Sequence, residues 1–125
     1  MATQASPENS LALKLKEQGN AAFNAGDYTR AVELFTDAID ISPKDHILYS
    51  NRSGAYASLK LFEKARIDAA KCTQISPNWA KGWVRLGVAC LGLGNDLKLA
   101  REAYAKALTL DPQNLSAKED LSRRR

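Results

Sequence analysis

Apolar residues recur at three- and four-residue steps along most of the chain, the period of helices with one buried face. In the first such stretch Leu15, Gly19, Ala22 and Phe23 share a face. Gly26 and Asp27 then end one helix and N-cap the next, on which Ala31, Leu34, Phe35, Ala38 and Ile41 form a stripe stopped by Ser42 and Pro43. The same pattern predicts helices over about residues 47–59 and 62–75, closed by Ser76 and Pro77, and over 80–93 and 97–110. Asp111 and Pro112 are expected to cap and open a short polar helix to about residue 122. The sum is an all-α chain of seven helices.

The pattern repeats. Pro43, Pro77 and Pro112 stand 34 and 35 residues apart, Ala31, Ala65 and Ala100 likewise, whereas Gly19, Ser53 and Gly87 are separated by 34 both times. One extra residue therefore falls between Gly87 and Ala100, and the turn at Gly94, Asn95 and Asp96 is where it disturbs least. Each unit is a helical hairpin, with Gly19, Ser53 and Gly87 expected to face Ala31, Ala65 and Ala100 so that the two axes approach closely. A hairpin leaves an apolar face for the next one to cover, so the units stack into a solenoid. Its last member needs a polar outer face, which Lys118, Glu119, Asp120 and the terminal arginines supply. This reading divides the chain into a disordered leader (residues 1–10), one three-repeat domain (11–122; repeats about 12–45, 46–79 and 80–114, cap 113–122) and a basic tail (123–125).

Composition narrows the function classes. With 45% hydrophobic residues in 125, a core forms without metal or disulfide. The longest apolar run, Leu86 to Leu93, is broken by Gly87 and Gly92, and the first ten residues lack the basic start and apolar segment of a secretory signal, so no membrane association is expected. Of the net charge of +4, three come from Arg123, Arg124 and Arg125, which leaves 15 cations against 14 anions elsewhere. Nucleic acid is accordingly not an expected partner, although a binder using this tail and exposed aromatics is one alternative. Cys72 and Cys90, eighteen apart with no nearby His, suit two free thiols in a reducing cytoplasm rather than a metal site. His46 is expected to cap a helix or lie on the surface, and Trp79 and Trp83 to pack at a repeat junction. Nothing in the chain assembles a nucleophile with a base and an acid or a phosphate loop, so the chain is read as a non-enzyme without cofactors.

The first helix of each hairpin lines the inner surface of such a stack. Its inward row reads Lys16, Asn20 and Phe23 in the first unit, Ile47, Asn51, Gly54 and Ser58 in the second, and Lys81, Arg85, Val88 and Gly92 in the third. Lys16, Lys81 and Arg85 suit carboxylates, the amides of Asn20 and Asn51 fix orientation, and Gly54 and Gly92 are expected to keep the floor low enough for a peptide backbone. Lys81 and Arg85, one turn apart, repel each other unless an anion lies between them. Asn51, Ser53 and Gly54 are poor helix formers in mid-helix, the kind of local conflict that gathers at functional sites. Any one of these side chains also reads as an idle solvated group, and Phe23 serves either the hairpin core or the groove; five polar groups in one row mark the site.

The stretch G-N-A-A-F-N-A-G-D-Y, followed by A-x-x-x-F-x-x-A-I and a closing Pro, resembles a tetratricopeptide repeat. The resemblance implies a right-handed superhelix. Leu15 and Gln18 stand where that family usually has Trp and Leu, and Ala69 where a bulky residue is usual. Lys16, Asn20, Asn51, Lys81 and Arg85 resemble, position by position, the two-carboxylate clamp of co-chaperone domains of this family. The stretches H-I-L-Y-S-N-R-S (46–53) and W-A-K-G-W-V-R-L-G (79–87) are most similar to the N-terminal repeat domain of the Hop, or stress-inducible, scaffold family. That likeness implies a monomeric adaptor within a larger scaffold, gripping the C-terminal Glu-Glu-Val-Asp of cytosolic heat-shock protein 70. The tail of heat-shock protein 90, or both tails, is the competing ligand, with Phe23, Gly54, Ala57, Ser58 and Leu91 as candidate accessory groove residues. A third reading is an assembly module that works through its convex helices.

Overall fold

The computed structural model describes residues 7–114 and 117–118 of the chain. Six helices follow one another: α1 Pro7–Asn24, α2 Tyr28–Ile41, α3 His46–Ser58, α4 Phe62–Ile75, α5 Ala80–Leu93 and α6 Leu97–Leu110. They pair as the hairpins α1/α2, α3/α4 and α5/α6, with α2 packed on α3, α4 on α5, and α1, α3 and α5 side by side. No strand occurs among the described residues.

Two boundaries differ from the sequence reading. Residues 7–10, expected in the leader, form the first turn of α1, where Pro7 loses nothing because its missing N–H has no partner in a helix anyway. Residues 1–6 of that leader lie outside the described residues, as do the basic tail and most of the seventh helix. Of the latter, Ala117 and Lys118 are helical, and their cap is Asn114 rather than Asp111: its Oδ1 accepts from the Ala117 N–H at 3.0 Å and its carbonyl from Lys118 at 3.1 Å. Asp111 instead closes α6 and accepts from the Gln113 N–H at 3.2 Å.

The three hairpin turns share a left-handed residue seven places after the small residue of the first helix: Gly26 (φ 82°), Lys60 (φ 62°) and Gly94 (φ 70°). In the first two, paired bonds such as Asp27 N–H to the Ala22 carbonyl (2.9 Å) and Gly26 N–H to that of Phe23 (3.0 Å) close the helix end, and the next N-cap follows at once. In the third, Asn95 stands between Gly94 and the N-cap Asp96, whose side chain accepts from the Leu99 N–H at 3.0 Å. Asn95 is thus the extra residue of the repeat.

Ala31, Ala65 and Ala100 are fully buried. In the second hairpin Ser53 meets Ala65 as expected, its hydroxyl donating to the Ala65 carbonyl at 2.8 Å. Gly19 and Gly87 face aromatic rings one turn further on: a Cβ at either would come within 2.6 Å of Phe35 or 2.7 Å of Tyr104. The equivalent of Phe35 and Tyr104 in the second repeat is Ala69, so where the first helix carries a hydroxymethyl the second gives up its ring.

Arg52 ties α3 to its neighbours. Its guanidinium donates to both Asp68 oxygens on α4 (2.7 and 2.8 Å) and to Thr36 Oγ1 on α2 (3.1 Å), and lies 6.0 and 5.7 Å from the ring centres of Tyr49 and Tyr56. The hydrogen bonds to Asp68 raise its pKa above the ordinary value against the pull of desolvation. Trp79 packs on the core of the first two repeats and edge-on to His46 at 4.8 Å, and Trp83 donates its Nε1–H to the Pro77 carbonyl at 2.8 Å while packing on the last hairpin. Cys72 and Cys90 are buried free thiols, and burial pushes Cys72 up to about 11. Among the described residues no helix is long and apolar enough to cross a membrane.

Candidate functional site

Helices α1, α3 and α5 carry the polar row. Because Asn20 and Asn51 occupy facing turns of α1 and α3, the Asn51 amide donates to Asn20 Oδ1 at 3.1 Å, joining residues 31 apart in sequence. Beside this pair is a cavity of about 280 Å³, lined by Asn20, Phe23 and Asn24 of α1, Phe35 of α2, Asn51 of α3, and Lys81 and Arg85 of α5. Phe23 plays both parts open to it: it lines the cavity, packs against the core and meets Tyr28 edge-on at 5.2 Å.

Arg85 reaches across from α5 to α3. Its guanidinium covers Gly54, where an added Cβ would come within 2.8 Å of Cζ, and its Nε–H points to Ser50 Oγ at 3.5 Å, a long contact. Neither Arg85 nor Lys81 has a carboxylate partner among the described residues. Burial lowers the pKa of both, and Arg85 pushes Lys81 down further. Two neighbouring cations that have lost part of their hydration gain most from an anion able to accept from both. A second hollow of about 610 Å³ is also lined by Lys81 and Arg85, together with Trp79, Val84, Leu110 and Asn114.

Lys16 stands apart from the other four. Its Nζ pairs with Asp45 Oδ2 at 3.3 Å, in a neighbouring hollow of about 240 Å³ that also touches Ala12, Ser42 and Leu48. The expected accessory residues divide as well. Gly54 is buried beneath Arg85 and so offers no floor to a peptide, and the space at Gly92 is taken by the ring of Phe62, which an added Cβ would overlap. Leu91 packs with Trp83 into the core of the last hairpin. Ala57 and Ser58 lie in the last turn of α3, outside the set that lines the 280 Å³ cavity.

Four contributors escaped the sequence reading. Asn24 follows Asn20 by one turn, a spacing visible in the sequence; the stripe pattern places Phe35 in the core alone, and nothing in the sequence singles out Ser50. Asp45 stands next to His46 in sequence and carries no expectation of its own. It is the N-cap of α3, its Oδ1 accepting from the Ile47 N–H at 3.0 Å, while His46 packs against Trp79.

Comparison with known proteins agrees with the architecture. The tetratricopeptide repeat family matches over residues 16–78 and again over 80–114. Heat shock protein STI1 of Saccharomyces cerevisiae is 57% identical over 107 residues, which is 85% of this chain and 18% of that protein. An Hsp70-Hsp90 organizing protein of Triticum aestivum is 48% identical over 112 residues, 90% of this chain and 19% of that protein. The chain thus spans about a fifth of the length of these curated relatives. Among solved structures, the first TPR domain of Spaghetti (RPAP3), bound to the HSP90 peptide SRMEEVD, superposes with a TM-score of 0.87 at 33% identity over 91% of this chain and 90% of that one. The second TPR domain of human RPAP3, in complex with the HSP70 peptide SGPTIEEVD, gives 0.87 at 30% identity over 93% and 96%. Periodicity, hairpin packing and these matches agree, and the chain belongs to the tetratricopeptide repeat family.

Proposed function

We propose that the chain is a non-catalytic co-chaperone adaptor domain of the cytoplasm, which grips the C-terminal Glu-Glu-Val-Asp of heat-shock protein 70. Lys16, Asn20, Asn51, Lys81 and Arg85 form the clamp, and Phe23 flanks it. The observation that carries the reading is the pair Lys81 and Arg85: partly desolvated, depressed in pKa, without a carboxylate partner among the described residues, and beside a cavity edged by the amides of Asn20, Asn24 and Asn51. A C-terminal aspartate offers two carboxylates at once. One suits the cations of α5, and the other suits the amides of α1 and α3 with Lys16.

The tail of heat-shock protein 90 is the second reading, favoured by the similarity to a domain bound to SRMEEVD. Calorimetric titration with free-acid peptides of the two tails separates them. The expected result is micromolar binding, about 8 kcal/mol, with the heat-shock protein 70 peptide the tighter. Absence of heat with both would end the adaptor reading, and tighter binding of the other tail would reverse the choice of partner.

A further inference from the structure

The clamp reading leaves Lys16 in an odd position: of its five residues, Lys16 alone is held by an acid among the described residues. Asp45 lies in the loop between α2 and α3, and its two oxygens have separate tasks. Oδ1 accepts from the Ile47 N–H at 3.0 Å and so fixes the carboxylate to the start of α3, while Oδ2 takes Lys16 Nζ at 3.3 Å. The two side chains are 21% and 28% exposed, which leaves their attraction less screened than that of a fully solvated pair. A carboxylate tied to a helix N-terminus cannot follow Lys16 elsewhere. The lysine, on a flexible four-carbon stem, can leave it.

We propose that Asp45 is an internal competitor for the peptide: it holds Lys16 outside the 280 Å³ cavity, and an incoming carboxylate must take Lys16 from it. The proposal rests on the clamp reading and deepens it, because it names the residue that sets how acidic and how well placed a tail must be to bind. A ligand with one weakly placed carboxylate gains too little to displace Asp45, whereas a tail that also engages Lys81 and Arg85 anchors first and then draws Lys16 over. Asp45 therefore lowers affinity for every tail while sharpening the preference for those with two carboxylates, a repulsive element of the sort that specificity commonly needs.

The test is a double-mutant cycle on peptide affinity, with Asp45→Asn, Lys16→Gln and the two together, titrated at low salt with the free-acid heptapeptide ending in Glu-Glu-Val-Asp. Asparagine caps a helix about as well as aspartate, so Asp45→Asn keeps α3 intact, and an unchanged thermal melt checks this. The expected result is a three- to tenfold tighter Kd for Asp45→Asn that vanishes in the Lys16→Gln background. Weaker or unchanged binding in Asp45→Asn would overturn the proposal by making Asp45 a support for Lys16 instead of its competitor. An equal gain with and without Lys16 would also overturn it, by reducing the effect to the removal of one negative charge. Failure of the parent chain and all variants to bind would instead remove the clamp reading beneath it.

Discussion

Arg52 and Arg85 lie on neighbouring inner helices, and the chain treats them in opposite ways. Arg52 has a bidentate carboxylate, a threonine hydroxyl and two tyrosine rings, and Asp68 raises its pKa. Arg85 has one long contact to Ser50 and a glycine beneath it, and burial lowers its pKa. The first is a charge whose desolvation the fold has already offset, and it serves to hold α2, α3 and α4 together. The second keeps its attraction for an anion from outside, and under the proposed function that separates a structural arginine from a binding one in a stack where both are partly buried.

The largest test of this contrast is Asp68→Ala, which strands Arg52 in a mostly apolar setting. A loss of about 3–5 kcal/mol in urea unfolding is expected, as for other buried pairs that lose one partner; a loss below about 1 kcal/mol would make Arg52 no more structural than Arg85. Next comes Arg85→Ala, which should weaken binding of the free-acid peptide about a hundredfold, roughly 2–3 kcal/mol, while unfolding stability stays level or rises. Stability falling with affinity intact would exchange the roles of the two arginines. Gly54→Ala is the finer probe, because its Cβ would sit 2.8 Å from Arg85 Cζ and push the guanidinium aside. Affinity should drop about tenfold, whereas the helix itself gains about 0.5–1 kcal/mol from replacing glycine.

The smallest effect is a pH dependence. In the proposed clamp Lys81 binds a carboxylate only when protonated, and burial together with Arg85 lowers its pKa. Affinity should therefore be full at neutral pH and decline as pH rises, starting below the range of an ordinary lysine near 10.4. In Lys81→Arg the decline should flatten, since arginine keeps its charge there. A flat profile in the parent chain would mean that Lys81 does not take part.

Much of the scaffold was legible because punctuation in the sequence coincides with turns. Pro77 and the Gly-Asn-Asp turn bracket α5, and the bounds read for α4, α5 and α6 are those observed. The start of α1 was hidden by a first turn that carries no buried apolar residue before Ala12. Periodicity names the face on which a side chain lies but not how far its neighbours reach. Phe35 and Tyr104, rather than the alanines one turn away, therefore fill the space at Gly19 and Gly87, and Phe62 fills that at Gly92. The proposed clamp residues could be named because Lys16 and Asn20, and Lys81 and Arg85, lie one turn apart on single helices, and because all five, Asn51 included, resemble the clamp positions of the family. The Lys16–Asp45 pair could not, because it joins residues 29 apart through the geometry of an interhelix loop.

Recognition of the two carboxylates of a chain end is what the proposed groove must show. Titrating the heat-shock protein 70 tail peptide as free acid and as C-terminal amide removes one carboxylate and leaves the sequence intact. Micromolar binding is expected for the acid and a loss of at least about thirtyfold, roughly 2 kcal/mol, for the amide. Equal binding of the two forms would rule out recognition through the terminal carboxylate.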